Sequence, residues 1–169
     1  VVAGSGTARA GDRNLVLLHV VATNRYTVQK TLSGLSVTNL SSGGGTAAQL
    51  DAEISRVSLR VAGNGDGGLA DLATDPLIGT AFFSGGRAPF TGLSQALAPN
   101  ASVGLFVTMD VATAAATDGD QLGASLSAPT QVTFTDNTAV AAGWPLDSGA
   151  RWTVDGMRSA QISNIGAPV

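Results

Sequence analysis

The chain has 169 residues, a net charge of −3 and a charged fraction of only 12%. One lysine and eight scattered arginines exclude a nucleic-acid-binding domain, because phosphate binding requires clustered positive charge. The absence of cysteine excludes disulfides, thiol catalysis and thiolate metal sites, and no apolar run approaches the roughly 18 residues of a membrane-spanning helix. The length favours a single domain with its own core, and the low charge with abundant Ser, Thr, Gly and Asn favours an extracellular, cell-surface location.

The first thirteen residues, "VVAGSGTARAGDR", have no strand pattern and predict an N-terminal arm, 1–13, ahead of one sandwich domain, 14–169. The following "NLVLLHVVA" is almost continuously apolar and predicts a central strand covered on both faces. Because the arm can contribute little core, we predict that it lies along the sheet edge of a neighbouring copy. A disordered arm on an ordinary module is the alternative. The tail "AQISNIGAPV" is the alternative donor. The apolar side chains predicted to make this contact are Val1, Val2, Ile162 and Ile165.

The candidates for catalysis are few. His19 is the only histidine, and within "LVLLHVV" it is typical of a core or interface residue rather than a catalytic base. "GLSQA" lacks the second glycine of a nucleophile elbow. The sequence therefore predicts a protein that is not an enzyme. A carbohydrate-binding platform built from Tyr26, Trp144 and Trp152 is the alternative use of the aromatic residues.

Strands with alternating apolar residues follow along the chain. "ISRVSLRV" and "VGLFVTMDV" alternate with the period of two that marks a half-buried strand, and the series from Leu122 to Ala128 and "QVTFT" repeat it. "LSVTN", "LIGTAFF" and "RWTV" predict further strands, and glycine-rich turn clusters separate them. The predicted fold class is all-β: an antiparallel β-sandwich, Ig-like or jelly-roll-like, with little helix.

The stretch "VAGNGDGGLAD" matches the dinucleotide fingerprint G-x-G-x-x-G at Gly63, Gly65 and Gly68. The fingerprint requires a following helix and an acidic residue about 20 positions on, and neither is present, so the match is accidental. Two interpretations remain open. Asn-Gly and Asp-Gly pairs are strong turn signals, which favours a plain turn and no cofactor. A calcium ion is the alternative, and its ligands would be Asn64, Asp66 and Asp71.

Two tripeptides fit the N-glycosylation pattern N-x-[ST]. They are Asn39-Leu40-Ser41 and Asn100-Ala101-Ser102, and both lie beside turn signals where a glycan could stand in solvent. Asn39 and Asn100 are therefore candidate glycosylation sites. Chance occurrence in a serine-rich chain is the alternative.

Residues 54–126 carry an ordered series of short motifs. "VSLRV" leads through an acidic-glycine turn to "FTGL", and "PNASVGLFVTMDV" and "ATDGDQL" follow. This series resembles the Ig-like and cohesin-like β-sandwich modules of large exported bacterial and archaeal surface proteins. The resemblance covers less than half of the chain and rests on structural motifs. It implies an adhesion, scaffold or assembly module and transfers no catalytic residue.

These observations together predict a non-catalytic extracellular structural subunit or module of a cell-surface assembly, such as a filament, pilus or surface layer. It would self-associate into a homo-oligomer or filament through strand edges or a terminal arm. The alternative is a carbohydrate-binding or scaffold module of a secreted multidomain enzyme.

Overall fold

A computed structural model describes residues 4–62, 72 and 74–156. The fold is nearly all-β, with 50% strand and 6% helix, and its sheets are largely antiparallel. The predicted all-β, sandwich-like fold with little helix is therefore confirmed. Within the described ranges, no helix is long and apolar enough to cross a membrane.

The elements follow one another in short succession. In chain order they are β1 (Gly6–Arg9), β2 (Leu15–Thr23), β3 (Lys30–Asn39), α1 (Ala47–Ala52), β4 (Ile54–Val61), β5 (Leu77–Ala81), β6 (Arg87–Leu97), β7 (Ser102–Val111), β8 (Gln121–Leu122), β9 (Ala124–Ser125), β10 (Val132–Phe134) and β11 (Trp152–Asp155). A 3₁₀ turn, Pro129–Gln131, precedes β10. The capping box of Thr46 and Gln49 starts α1, because each side chain bonds to the other residue's backbone N–H.

The described residues form three sheets. The first has the order β2-β7-β4-β5, and the second has the order β10-β3-β6 with β9 also paired to β3. The third is small, with the order β1-β11-β8, and its β1–β11 pair is parallel. The first two sheets bury a shared core, whose fully buried side chains include Leu18, Leu32, Val37, Val57, Leu59, Val107 and Met109.

Strand β7 shows how the sequence pattern becomes packing. Leu105, Val107 and Met109 face the core, as the alternation predicts. Phe106 points to the opposite face of the sheet and is nevertheless fully buried, because Val16 and Leu72 pack on it in a second cluster. The outer face of the first sheet is therefore apolar in part rather than uniformly solvated.

The prediction that "NLVLLHVVA" forms a central strand is wrong. Among the described strands, β2 pairs only with β7 and forms an edge of the first sheet. Its first half is covered on both faces, since Leu17 and Leu18 are buried and Val16 belongs to the outer cluster with Phe106. The continuous apolar run therefore indicated that both faces of the strand are covered, but it did not indicate the position of the strand in the sheet.

The expectation that residues 1–13 contain no strand is also wrong. Gly6–Arg9 form β1, which pairs in register with β11 from Gly6↔Trp152 to Arg9↔Asp155. Ala8 is fully buried within this strand. The chain then stays bonded to the first sheet, because Gly11 N donates to Val111 O at 3.2 Å and Val111 N donates to Asp12 O at 2.8 Å. Val1 and Val2 lie outside the described residues.

Candidate functional site

The free edge of β2 is the first part of the candidate site. Asn24 N donates to Ala101 O at 2.8 Å, which continues the β2–β7 ladder. Along an antiparallel ladder, hydrogen-bonded pairs alternate with non-hydrogen-bonded pairs. Because Asn24 and Ala101 form a hydrogen-bonded pair and Val21↔Gly104 lies three pairs away, Val21↔Gly104 is a non-hydrogen-bonded pair. Gly104 O accepts from Ala62 N on the other side, at 3.0 Å, which confirms this alternation.

The backbone N–H and C=O groups of alternate β2 residues therefore point away from β7. These residues are His19, Val21 and Thr23, and none of the described residues bonds to these backbone groups. The side chain of Val21 is 61% exposed beside them. A row of unpaired main-chain groups of this kind is a template for pairing with another strand.

An apolar cleft of about 760 Å³ opens beside this edge. It lies between the edge strands of the two larger sheets, β2 and β10, where the sandwich is not closed by strand pairing. The segment 138–142, with Trp144 and Leu146, forms its far wall. Core side chains line its floor, namely Val20, Leu32, Leu35, Leu97, Leu105 and Leu126.

The mouth of the cleft is held by a buried amide. Asn24 is 4% exposed, and its Nδ2 donates to Val28 O at 2.9 Å and to Leu97 O at 3.0 Å. Its Oδ1 accepts from Tyr26 N at 2.9 Å. Lys30 Nζ lies 4.4 Å from the centroid of the Tyr26 ring. These contacts fix a loop whose apolar side chains stay in solvent, with Tyr26 48% exposed and Val28 56% exposed.

The predicted aromatic platform is divided between two places. Tyr26 and Trp144 both line the cleft. Trp152 lies at the other end of β2, where its Nε1 donates to Val16 O at 2.8 Å. The structure thus brings two of the three rings to one surface.

His19 has the surroundings of a packed residue. Its ring stacks on Phe106 with the centroids 4.2 Å apart, and burial lowers its pKa from 6.5. Its Nε2 has no hydrogen-bond partner among the described residues, so no carboxylate or hydroxyl orients it as a base. The described ranges also contain no group of three or more His, Cys, Asp or Glu residues able to hold a metal ion.

The other predicted site residues fall into two groups. The calcium candidates Asn64, Asp66 and Asp71 lie outside the described residues, as do the assembly candidates Ile162 and Ile165. The two glycosylation candidates are described, and their surroundings differ.

Asn39 is tied to its neighbours. Its Nδ2 donates to Asp51 Oδ1 at 2.8 Å, and its Oδ1 accepts from Ser41 N at 2.8 Å. Asn100 is exposed in a turn with φ of 56°. A glycan on Asn39 would require the loss of the bond to Asp51, whereas Asn100 is free to carry one. Glycosylation itself stays a prediction.

The fold and this surface define an all-β, sandwich-like protein in which the β2 edge lies beside an apolar cleft. No protein-family model matches the chain, and no curated protein matches it. Sequence analysis missed Val21 and Asn24 as residues of the site. The only trace of them in the sequence is the end of the apolar run at Thr23, followed by Asn24, and this does not show whether the edge is paired.

Proposed function

We propose that the chain is a non-catalytic extracellular structural subunit or module of a cell-surface assembly, such as a filament, pilus or surface layer. The observation that carries the proposal is the row of unpaired main-chain groups at His19, Val21 and Thr23 beside the apolar cleft. A strand from a second copy would bond to these groups and lay its alternate side chains over the cleft. The charged fraction of 12% leaves few charges to oppose such pairing.

The tail 157–169 is the better donor of this strand. Pairing along His19–Thr23 requires a strand of roughly 17 Å. The N-terminal arm is already bonded within its own domain, because β1 holds residues 6–9 in the third sheet and Gly4 N donates to Val16 O at 3.1 Å. The tail reaches about 40 Å. It carries Ile162, Ile165 and Val169 as apolar side chains for the cleft, and Arg158 is its one charged residue.

A proline substitution at the edge tests the acceptor. Val21→Pro removes an N–H that no described residue bonds, so we expect the far-ultraviolet dichroism and the melting temperature of the monomer to stay close to wild type. The ring blocks the approach of an added strand. Light scattering and electron microscopy should therefore show ordered polymers of the wild-type chain and monomers of the variant.

Thr80→Pro on β5 is the matched control. β5 is the opposite edge of the same sheet, and Thr80 pairs with Ser58 in a position whose backbone also points away from its neighbour. This variant should polymerise as wild type does. A wild-type chain that stays monomeric at high concentration, or a Val21→Pro variant that polymerises equally well, contradicts the proposal.

Deletion variants test the donor. Removal of residues 157–169 should abolish polymers, and removal of residues 1–3 should leave them unchanged. Adding a synthetic peptide of sequence 157–169 to the tail-deleted chain should give a one-to-one complex that Val21→Pro prevents. The opposite pattern of the two deletions would assign the donor strand to Val1 and Val2.

A carbohydrate-binding module is the second candidate, favoured by Tyr26 and Trp144 on one cleft. Tyr26→Ala distinguishes the two functions because it removes an exposed ring without touching the β2 backbone. Retention of the wild-type chain on insoluble polysaccharide, lost in Tyr26→Ala and kept in Val21→Pro, would favour carbohydrate binding.

A further inference from the structure

Two acidic side chains meet in the interior beside the third sheet. Glu53 directly follows α1 and is 2% exposed, and Asp120 directly precedes β8 and is 6% exposed. Their carboxyl groups are within hydrogen-bonding reach of each other. This pair is separate from the β2 edge and does not depend on the proposed assembly.

One oxygen of each carboxylate is accounted for. Thr117 N donates to Glu53 Oε1 at 3.2 Å, and Gly44 N donates to Asp120 Oδ1 at 3.3 Å. Apart from the contact between the two carboxyl groups, the other two oxygens, Glu53 Oε2 and Asp120 Oδ2, are buried and accept no hydrogen bond from the described residues. Buried carboxylate oxygens normally accept hydrogen bonds or bind a cation, since an uncompensated charge is costly in the interior.

None of the described residues forms an ion pair with either carboxylate. Two facing carboxylates of this kind must share a proton or hold a cation between them.

Space for hydration adjoins Glu53. A cavity of about 470 Å³ borders Glu53 and is lined further by Gly44, Gly45, Gln49, Ala115 and Thr117. No third acidic or histidine side chain joins the two carboxylates among the described residues, so backbone carbonyls and water would complete a coordination shell. An all-oxygen, irregular shell suits calcium, which takes 6–8 oxygens in flexible geometry. Magnesium requires a near-ideal octahedron, and zinc favours nitrogen and sulfur.

We propose that Glu53 and Asp120 bind one calcium ion through Oε2 and Oδ2, and that the ion links the end of α1 to the start of β8. This site differs from the calcium interpretation of the glycine-rich loop, whose ligands would be Asn64, Asp66 and Asp71.

The test is the melting temperature of the full chain at pH 8 after treatment with a chelator, with and without calcium chloride. Binding to the folded state alone should raise it by roughly 5–10 °C at a calcium concentration about 100 times the Kd. Magnesium chloride at the same concentration should give a smaller rise. Calorimetric titration with calcium should give one site per chain.

Two isosteric variants and one control locate the ion. Glu53→Gln and Asp120→Asn should each abolish the calcium-dependent rise, and the two variants keep the proposal testable if one fails to fold. The double variant Asp66→Asn, Asp71→Asn should retain the rise. If calcium gives no rise in the wild-type chain, or if the rise survives both Glu53→Gln and Asp120→Asn, the pair shares a proton and the proposal is wrong.

Discussion

Gly43 packs so tightly on Asp120 that adding a single methyl group at this position should measurably lower the free energy of unfolding. A Cβ at Gly43 would overlap the Asp120 carboxyl, well inside the 3.0 Å that real Cβ atoms keep from their neighbours. The carboxyl cannot move aside freely, because Gly44 N holds its Oδ1 and Glu53 lies against it. Gly43→Ala should therefore destabilise the chain.

The magnitude follows from the two contacts that must give way. Overpacking costs about 1–3 kcal/mol, and loss of the Gly44–Asp120 hydrogen bond costs about 1 kcal/mol more. The free energy of unfolding should fall by roughly 2–4 kcal/mol. For a chain of this size, that corresponds to a melting temperature lower by about 5–15 °C.

Gly44→Ala is the matched control in the next position. No atom lies within 4 Å of a Cβ built at Gly44. Both substitutions restrict the unfolded chain equally, so the difference between them isolates the overlap with Asp120. Urea unfolding curves of the two variants measure it. If their free energies of unfolding agree within about 0.5 kcal/mol, Gly43 is not packed on Asp120 as described.

Two further predictions concern buried polar groups. Asn24→Ala removes the Nδ2 donor from the Leu97 and Val28 carbonyls, so we expect the free energy of unfolding to fall by about 2–4 kcal/mol and the amides around Tyr26 to exchange faster. The control Thr23→Ala should lower the free energy of unfolding by less than about 1 kcal/mol. In calcium-free buffer, burial and the contact with Asp120 raise the pKa of Glu53 to about 7. The folded chain therefore binds the Glu53 proton more tightly than the unfolded chain, in which the pKa of this carboxyl is 4.5. This stabilisation is complete below pH 4.5, and it is lost as the pH rises through about 7. The melting temperature of the wild-type chain should therefore fall with pH across this range, and that of Glu53→Gln should lack this fall.

The strands that could be predicted are those with one polar face. In sequence, β4 and β7 alternate apolar and more polar residues along most of their length, because they form the middle of a sheet with its inner face on the core. Burial alternates less, since Ser58, Phe106 and Thr108 on the outer side are also buried. β1 gave no such pattern, since its pairing with β11 is made by the backbone and only Ala8 is buried. A four-residue strand of this kind leaves almost no trace in side-chain hydrophobicity.

The candidate sites were harder to predict for a related reason. The openness of the β2 edge depends on which strands are neighbours, and a run of apolar residues around Leu17 does not encode that. Glu53 and Asp120 are distant in sequence and come together only in the fold, where Ser42, ahead of α1, forms a β-bridge with Gln121 at the start of β8. In the sequence, Glu53 is a lone carboxylate and Asp120 is part of the turn signal Asp118-Gly119-Asp120, so neither residue by itself indicates a site.

The parallel pairing of β1 and β11 also determines how the domain responds to tension. The chain enters β1 at Gly6, beside Trp152, and leaves β11 at Asp155, beside Arg9. A force applied between the segments that flank these two strands pulls them past each other along their own axes. All the bonds of the register then resist together, whereas an antiparallel terminal pair would open one bond at a time. Once the bond from Gly4 N to Val16 O in β2 has been broken, this short pair should therefore rupture cooperatively.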